Sequence, residues 1–297
     1  MAKPHFIPLP HRALIAIEGE ERKTFLQGLV SNDVTKVGVD RALYGAFLTP
    51  QGKFLHEFFL GEMDDVLLLE TETARRDDFI KRLSLYKLRS KVTIRSADHL
   101  QAYAIIGTDT AQIFGLPCEA GVVGSFADGR VFVDPRLAAA ELRAWLPVGA
   151  EPALQERGLS AGETDLWDRH RIGLGLPDGS RDMVPDKAIL LENGFDELQG
   201  VDWKKGCFLG QELTARTKYR GLIRKRLLPV DIEGPAPEPG TPLLFGDADA
   251  GEMRSHAGNV GLALIRLEIL EQLAANGGKL QVGETRLSPS KPAWATF

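Results

Sequence analysis

Between Ala42 and Glu70 the chain reads ALYGAFLTPQGKFLHEFFLGEMDDVLLLE. Thr49-Pro50-Gln51-Gly52 and the stretch from Gly61 to Asp65 divide it into three apolar runs, a pattern that predicts three consecutive strands. Upstream, ALIAIEG (13–19) predicts a strand ending in a turn. GEERKTFLQGLVSNDV (19–34) then predicts a helix, with Phe25, Leu26, Leu29 and Val30 at helical spacing. A helix over about 74–88 and the strand KVTIRSA follow. This order buries its apolar faces as a layered α/β region, with helices on one side of a mostly antiparallel sheet.

A second set of elements begins with the strand AYAIIG (102–107) and continues through strands in GVVGSFADGRVFVDP. A helix is expected from Leu137 to Leu146, then a Pro- and Gly-punctuated link over 147–162. TDLWDRHRIGLGLPDG (164–179) predicts a short helix or turn of exposed basic character, and 180–203 is expected to be irregular. From Leu222 the texture changes to short apolar runs broken by Pro and Gly, the pattern of a small all-β unit. Within it, LEILEQLAANGG (267–278) predicts one or two helical turns.

A chain of 297 residues can bury a sizeable core. Its 36 Lys and Arg against 41 Asp and Glu argue against a dedicated nucleic-acid binder, which carries a broad basic excess, and leave room for a local basic patch around an anionic small ligand. No apolar run reaches membrane-helix length. The N-terminal stretch reads as neither a secretory signal nor an Arg-rich presequence, so a cytoplasmic protein is expected. Two cysteines, Cys118 and Cys207, without a CxxC, predict neither a disulfide framework nor a protein-only metal centre. Nothing in the sequence argues for more than a monomer.

The strongest chemical signal is KKGCFLGQELTARTKYRG (204–221). A helix is expected from near Gln211, with Glu212, Arg216 and Arg220 on one face and Glu212–Arg216 a favourable pair. A thiol just before a helix and beside Lys204 and Lys205 is in a setting that favours thiolate. A buried, inert cysteine fits the same residues. Gly206 and Gly210 bracket a tight backbone site that is neither a P-loop nor a dinucleotide fingerprint. Elsewhere, Asn32-Asp33 suits a helix cap, Arg171 and Lys53 are ordinary, and Cys118 has no supporting neighbours.

The 204–221 stretch resembles the K-G-C-[FY]-x-G-Q-E-x-x-x-R signature of the YgfZ/Iba57 family, folate-dependent iron–sulfur maturation proteins related to the glycine cleavage T-protein. GEERKTFLQGLVSNDV, LTPQGKFLHEFFL and RIGLGLPDG with Pro185 are similar to further family segments, in the expected order. The resemblance implies an α+β fold: a T-protein-like multidomain ring with ferredoxin-like layered α/β parts and a small C-terminal β-barrel. Residues 1–225 would form a folate-binding region of two intertwined α/β subdomains, and 226–297 the barrel. It implies a tetrahydrofolate-type ligand and iron–sulfur enzymes or assembly proteins as partners. Any effect on tRNA modification would be indirect, through cluster-dependent enzymes, and a link to oxidative stress is expected.

Carried onto this chain, Cys207 is the hallmark cysteine. Lys205, Gly206, Gly210, Gln211, Glu212 and Arg216 complete the motif, and Gln27, Asn32 and Asp33 form a second tier of ligand-binding candidates. The basic residues Arg216, Lys218 and Arg220 would suit a folate's glutamate tail. Aminomethyltransferase relatives carry an Asp-Asp pair where this chain has His56-Glu57, and a longer carboxylate displaced by about 1 Å is costly in catalysis. Aminomethyl transfer is therefore the alternative reading and not the leading one, and no reaction is assigned.

Overall fold

A computed structural model describes residues 3–297. The chain begins with β1 (His5–Pro8), β2 (Arg12–Glu18) and α1 (Arg22–Gln27). It continues with β3 (Leu43–Leu48), β4 (Phe54–Met63), β5 (Val66–Glu72), α2 (Arg76–Lys87) and β6 (Thr93–Ser96). Next come β7 (Leu100–Ile106), α3 (Thr110–Ile113), β8 (Val123–Phe126), β9 (Gly129–Val133) and β10 (Leu142–Pro147). These lead to α4 (Glu151–Glu156), β11 (Ser160–Ala161), α5 (Thr164–Gly173) and α6 (Gln211–Tyr219). The last elements are β12 (Lys225–Glu233), β13 (Pro242–Phe245), β14 (Ala248–Ala257), β15 (Val260–Arg266), α7 (Leu267–Asn276), β16 (Leu280–Val282) and β17 (Thr285–Pro289).

A first sheet, ordered β3-β4-β5-β2-β6, is antiparallel throughout. A second is ordered β11-β1-β7-β10-β9-β8, so the chain's first strand is inserted into the later sheet. β12 to β17 close a six-stranded barrel.

Period-2 patterning places the layers. In β3, Leu43 and Phe47 face α1 and α2, while Tyr44, Ala46 and Leu48 face the second sheet. The two sheets pack through Tyr44, Phe59, Leu68, Phe132 and Trp145. Their approach is close enough that a Cβ on Gly61 would lie 2.7 Å from the Trp145 ring.

Three local expectations are corrected. Residues 137–146 are not a helix: a 3-10 turn at Ala138–Ala140 ends where Glu141 takes φ 64, and β10 follows. Leu142, Ala144 and Leu146 join one core while Trp145 joins the other, and this alternation is masked in sequence because both faces are buried. The helix expected over 19–34 stops at Gln27 with Gly28 as its C-cap. The 164–179 helix is not an exposed basic one. Arg171 is buried, donating to Asp168 Oδ1 at 2.7 Å, Asp182 Oδ2 at 2.8 Å and Ser255 Oγ at 2.9 Å.

Between the sheets lies a buried polar network. Arg12 donates to Glu70 Oε1 (3.0 Å), Glu57 Oε1 (2.6 Å) and Asp178 Oδ1 (3.0 Å). Glu70 also accepts from Trp145 Nε1 (2.7 Å) and from Arg143. Burial alone would raise the Glu70 pKa; Arg143 and Arg12 overcome this and hold it below the usual carboxylate range.

On β4, His56 is fully buried, stacked on Phe79 with centroids 4.5 Å apart. Its Nε2 faces Asp78 Oδ2 at 3.0 Å, whereas Nδ1 has no partner, so protonation would leave a buried N–H unpaired.

Two outcomes are expected. Glu70→Ala removes the acceptor shared by two buried guanidiniums and an indole N–H and should cost about 3–5 kcal/mol in urea denaturation. Burial holds the His56 pKa down at about 4, against 6.5 when unfolded. Between those values the unfolded chain binds more protons, so stability falls as pH drops from 6.5 towards 4. Subtracting the same titration of His56→Phe should isolate a slope approaching about 1.4 kcal/mol per pH unit.

Candidate functional site

The 204–221 motif is fastened to the first sheet through α1. The Lys205 ammonium donates to the carbonyls of Gln27 (2.6 Å) and Val30, acceptors at and just beyond the C-terminal end of α1 where a cation is favoured. Burial lowers its pKa from 10.5 to about 8, opposed by Asp33 and Asp202. The same ammonium lies 5.1 Å from the Phe208 ring centroid. Gln27 in turn donates to Asp33 Oδ1 at 2.9 Å and accepts from the Val34 N–H at 2.8 Å. Against partial desolvation, hydrogen bonds from Thr35 and Gln27 keep Asp33 below its usual pKa. Lys205, Gln27 and Asp33 therefore belong to one network.

The motif glycines have different duties. Gly206 takes φ 91 with open space where a Cβ would stand. Gly210 takes φ 77, and a Cβ there would lie 2.4 Å from the Thr49 carbonyl oxygen. Gly52, in the β3–β4 turn, meets the Gly210 carbonyl oxygen just as closely, so two glycines let turn and motif touch. Leu209 N–H donates to Gly28 O at 3.0 Å, and the Gln211 side chain accepts from Phe208 N–H at 3.2 Å. These contacts hold a loop on which Cys207 is exposed. Glu212 and Arg216 also face solvent. Among the described residues no ion pair joins them, so the expected helix pair is not formed.

A cavity of about 390 Å³ lies beside this loop, lined by Asn32, Lys36, Arg41, Tyr44, Trp203 and Lys204 among others. Asn32 reaches it, but its polar atoms are committed. Nδ2 donates to the carbonyls of Tyr44 and Gln199, each at 2.7 Å, and Oδ1 accepts from Asp33 N–H at 2.8 Å. Its role here is to pin β3 to the 196–203 segment. Trp203 Nε1 donates to Asp196 Oδ1 at 2.7 Å, Lys218 sits 4.7 Å from the Trp203 ring centroid, and Tyr219 meets that ring edge-on. Helix α6 is thus coupled to the cavity wall.

Lys218 is tied to Asp196 as an ion pair and does not line the cavity; the cations that do are Lys36, Arg41 and Lys204. Lys36 pairs with Asp202, and Arg41 lies 3.7 Å from exposed Glu119. Sequence reasoning missed Lys36, Arg41, Tyr44 and Trp203 as cavity residues. Only Trp203 carried a signal, its position just before the motif.

Glu57, the acidic residue that follows His56 on β4, is buried. Its oxygens are taken by Arg12 Nη1 (2.6 Å) and the Tyr44 hydroxyl (2.5 Å). Such a carboxylate acts as a structural acceptor. Among the described residues no group of three or more His, Cys, Asp or Glu is arranged to hold a metal ion.

The glycine geometry separates two substitutions. Gly206→Ala should cost about 1 kcal/mol for the left-handed backbone alone. Gly210→Ala adds a backbone clash and should cost roughly 3 kcal/mol or more, read by thermal melting.

Residues 224–297 match the family model described as the CAF17 C-terminal beta-barrel domain. The chain is similar over nearly its whole length to the solved glycine cleavage system aminomethyltransferase T from Bartonella henselae. That likeness has a TM-score of 0.75 at 15% identity, covers 99% of this chain and 87% of that one, and shows a shared fold. Against curated proteins, the chain is 35% identical over 284 residues to the mouse iron-sulfur cluster assembly factor IBA57, mitochondrial, covering 89% of this chain and 78% of that protein. Its identity to the human counterpart is 33% over 311 residues, covering 96% and 84%. These relatives are named as mitochondrial, which overturns the cytoplasmic expectation; N-terminal composition reports only on the residues it covers and does not by itself carry a compartment. With this identity and coverage, the chain belongs to the IBA57 family of iron–sulfur cluster assembly factors.

Proposed function

We propose that the chain supports iron–sulfur cluster assembly by binding a tetrahydrofolate-type ligand in the cavity beside its motif loop and presenting Cys207 to client or assembly proteins. The observation that carries the reading is the cavity's composition and place. A volume of about 390 Å³ falls in the range of small-molecule sites. Trp203 supplies an aromatic wall for a flat ring, and Arg41 and Lys204 supply cations for the carboxylates in which folates end, Lys36 being already paired with Asp202. The fold relative is an aminomethyltransferase, which favours the same choice of ligand class. A bound tetrahydrofolate supplies a reduced ring able to carry a one-carbon unit.

The chain's own residues then act as follows. Asn32 and the Lys205–Gln27–Asp33 network fix the cavity edge and the motif loop relative to each other. Lys218 and Asp196 orient Trp203. Cys207, exposed on that loop, offers a single sulfur donor. One thiolate cannot hold a cluster in the usual four-thiolate way. The cluster is therefore cargo, and its remaining ligands come from another protein. Gly206, Gly210, Gln211, Glu212 and Arg216 serve the shape and surface of the same segment. One-carbon transfer is the second reading, and the engagement of Glu57 by Arg12 and Tyr44 counts against it.

The ligand assignment is tested by titrating the protein with 5-formyltetrahydrofolate, a stable reduced folate, by calorimetry. Saturable binding is expected, weakened about tenfold or more by Arg41→Ala or Lys204→Ala through loss of a charge-assisted contact. Absence of binding, or binding indifferent to both changes, would sink the folate assignment.

A further inference from the structure

The C-terminal end of α2 carries two apolar side chains, Leu85 and Leu88, that the core does not use. Leu85 is 69% exposed and Leu88 89%, whereas Phe79 and Leu83 of the same helix are buried against the first sheet and Tyr86, 37% exposed, meets the buried Phe47 ring edge-on. Leu88 is also strained, a non-glycine residue at φ 45 and ψ −108. Such conformations persist where the surroundings impose them and cluster at functional positions. Here Lys91 N–H is held by Glu21 Oε2 at 2.7 Å, and Gly19 packs against the Lys91 carbonyl, so the segment after Leu88 is anchored. Burial gains nothing from this strain.

Between this helix end and α1 lies a groove of about 320 Å³ lined by Glu21, Thr24, Phe25, Gly28, Leu29, Tyr86 and Ser90, the Glu21 carboxylate being engaged by the Lys91 N–H. Gly28, on its rim, accepts the backbone hydrogen bond from Leu209, two residues beyond Cys207. The groove therefore adjoins the motif loop.

Charge selects the occupant. The segment from Lys81 to Lys91 holds Lys81, Arg82, Lys87, Arg89 and Lys91 and no acidic residue, in a chain of net charge −5. Arg82 pairs with Asp78 and Lys91 lies near Glu20, but among the described residues Lys81, Lys87 and Arg89 have no carboxylate within 4.0 Å. A second copy presenting the same face would meet like charge. A membrane would need a continuous apolar helix face, and that face is already in the core. We infer that the α2 end and the adjoining groove dock an acidic protein, with apolar side chains of the partner covering the exposed Leu85 and Leu88. The inference names the chemistry of the client or assembly protein and so rests on the cluster-assembly reading.

The test places a photo-crosslinking benzoylphenylalanine at Leu88 of the full chain in cells, with Val148, another exposed apolar residue, as the control position. An adduct identified by mass spectrometry as a protein of net negative charge is expected at Leu88 and not at Val148. It should fall about tenfold in the Lys87→Glu/Arg89→Glu variant at unchanged melting temperature. No protein adduct, an adduct to lipid or to a second copy, or one indifferent to the charge reversal would overturn the docking surface. Failure of the wild-type chain to support any cluster-dependent enzyme would instead overturn the reading on which it rests.

Discussion

The pairing of Glu70 with Arg12 and Arg143 is the interaction on which the arrangement depends. It sits where the two sheets meet, and each of its partners comes from a different strand. In a low-dielectric interior such a cluster is tolerable only when every charge is matched and hydrogen-bonded. That requirement fixes the sheets' relative position far more narrowly than the surrounding apolar contacts would. Through Arg12 and Asp178 the network reaches the 177–182 loop, and through Arg171, Asp182 and Ser255 it reaches the barrel. The shape is thus held at its centre by oriented charge, and the apolar layers pack around it.

The motif loop is positioned on that frame by polar contacts at its edges. Lys205 caps the end of α1, Gly210 abuts the β3–β4 turn, and Lys218 and Tyr219 brace Trp203 on the cavity wall. Between these anchors Cys207 is left exposed. A buried cysteine would have read as packing; the proposed role of Cys207 rests on its exposure on this anchored loop. The same anchors explain why Gln27 and Asn32, distant in sequence from the motif, act with it: one touches Lys205, the other holds the segment leading into it.

Legibility of the sequence followed the physics of each segment. The hairpin strands from Ala42 to Glu70 were readable because Pro and Gly punctuate them, and the barrel because its runs are short and repeatedly broken. Strand β10 was misread because Arg143 and Trp145 face a second core, so the expected polar face never appears. Arg171 was misread for a related reason: nothing local reveals that Asp182 and Ser255 will meet it in the interior. The motif and the fold family were legible through resemblance. The cavity was only half legible, since Lys36, Arg41 and Tyr44 are brought to Trp203 by tertiary packing alone.

In the function proposed above, this iron–sulfur cluster assembly factor acts through the exposed thiol on its braced loop. The most direct measurement is the activity of a cluster-dependent enzyme in cells lacking the protein, after return of the wild-type chain or Cys207→Ser at matched levels. The account predicts restoration by the wild type and little or none by the folded variant. Equal restoration by both would contradict the role given to Cys207.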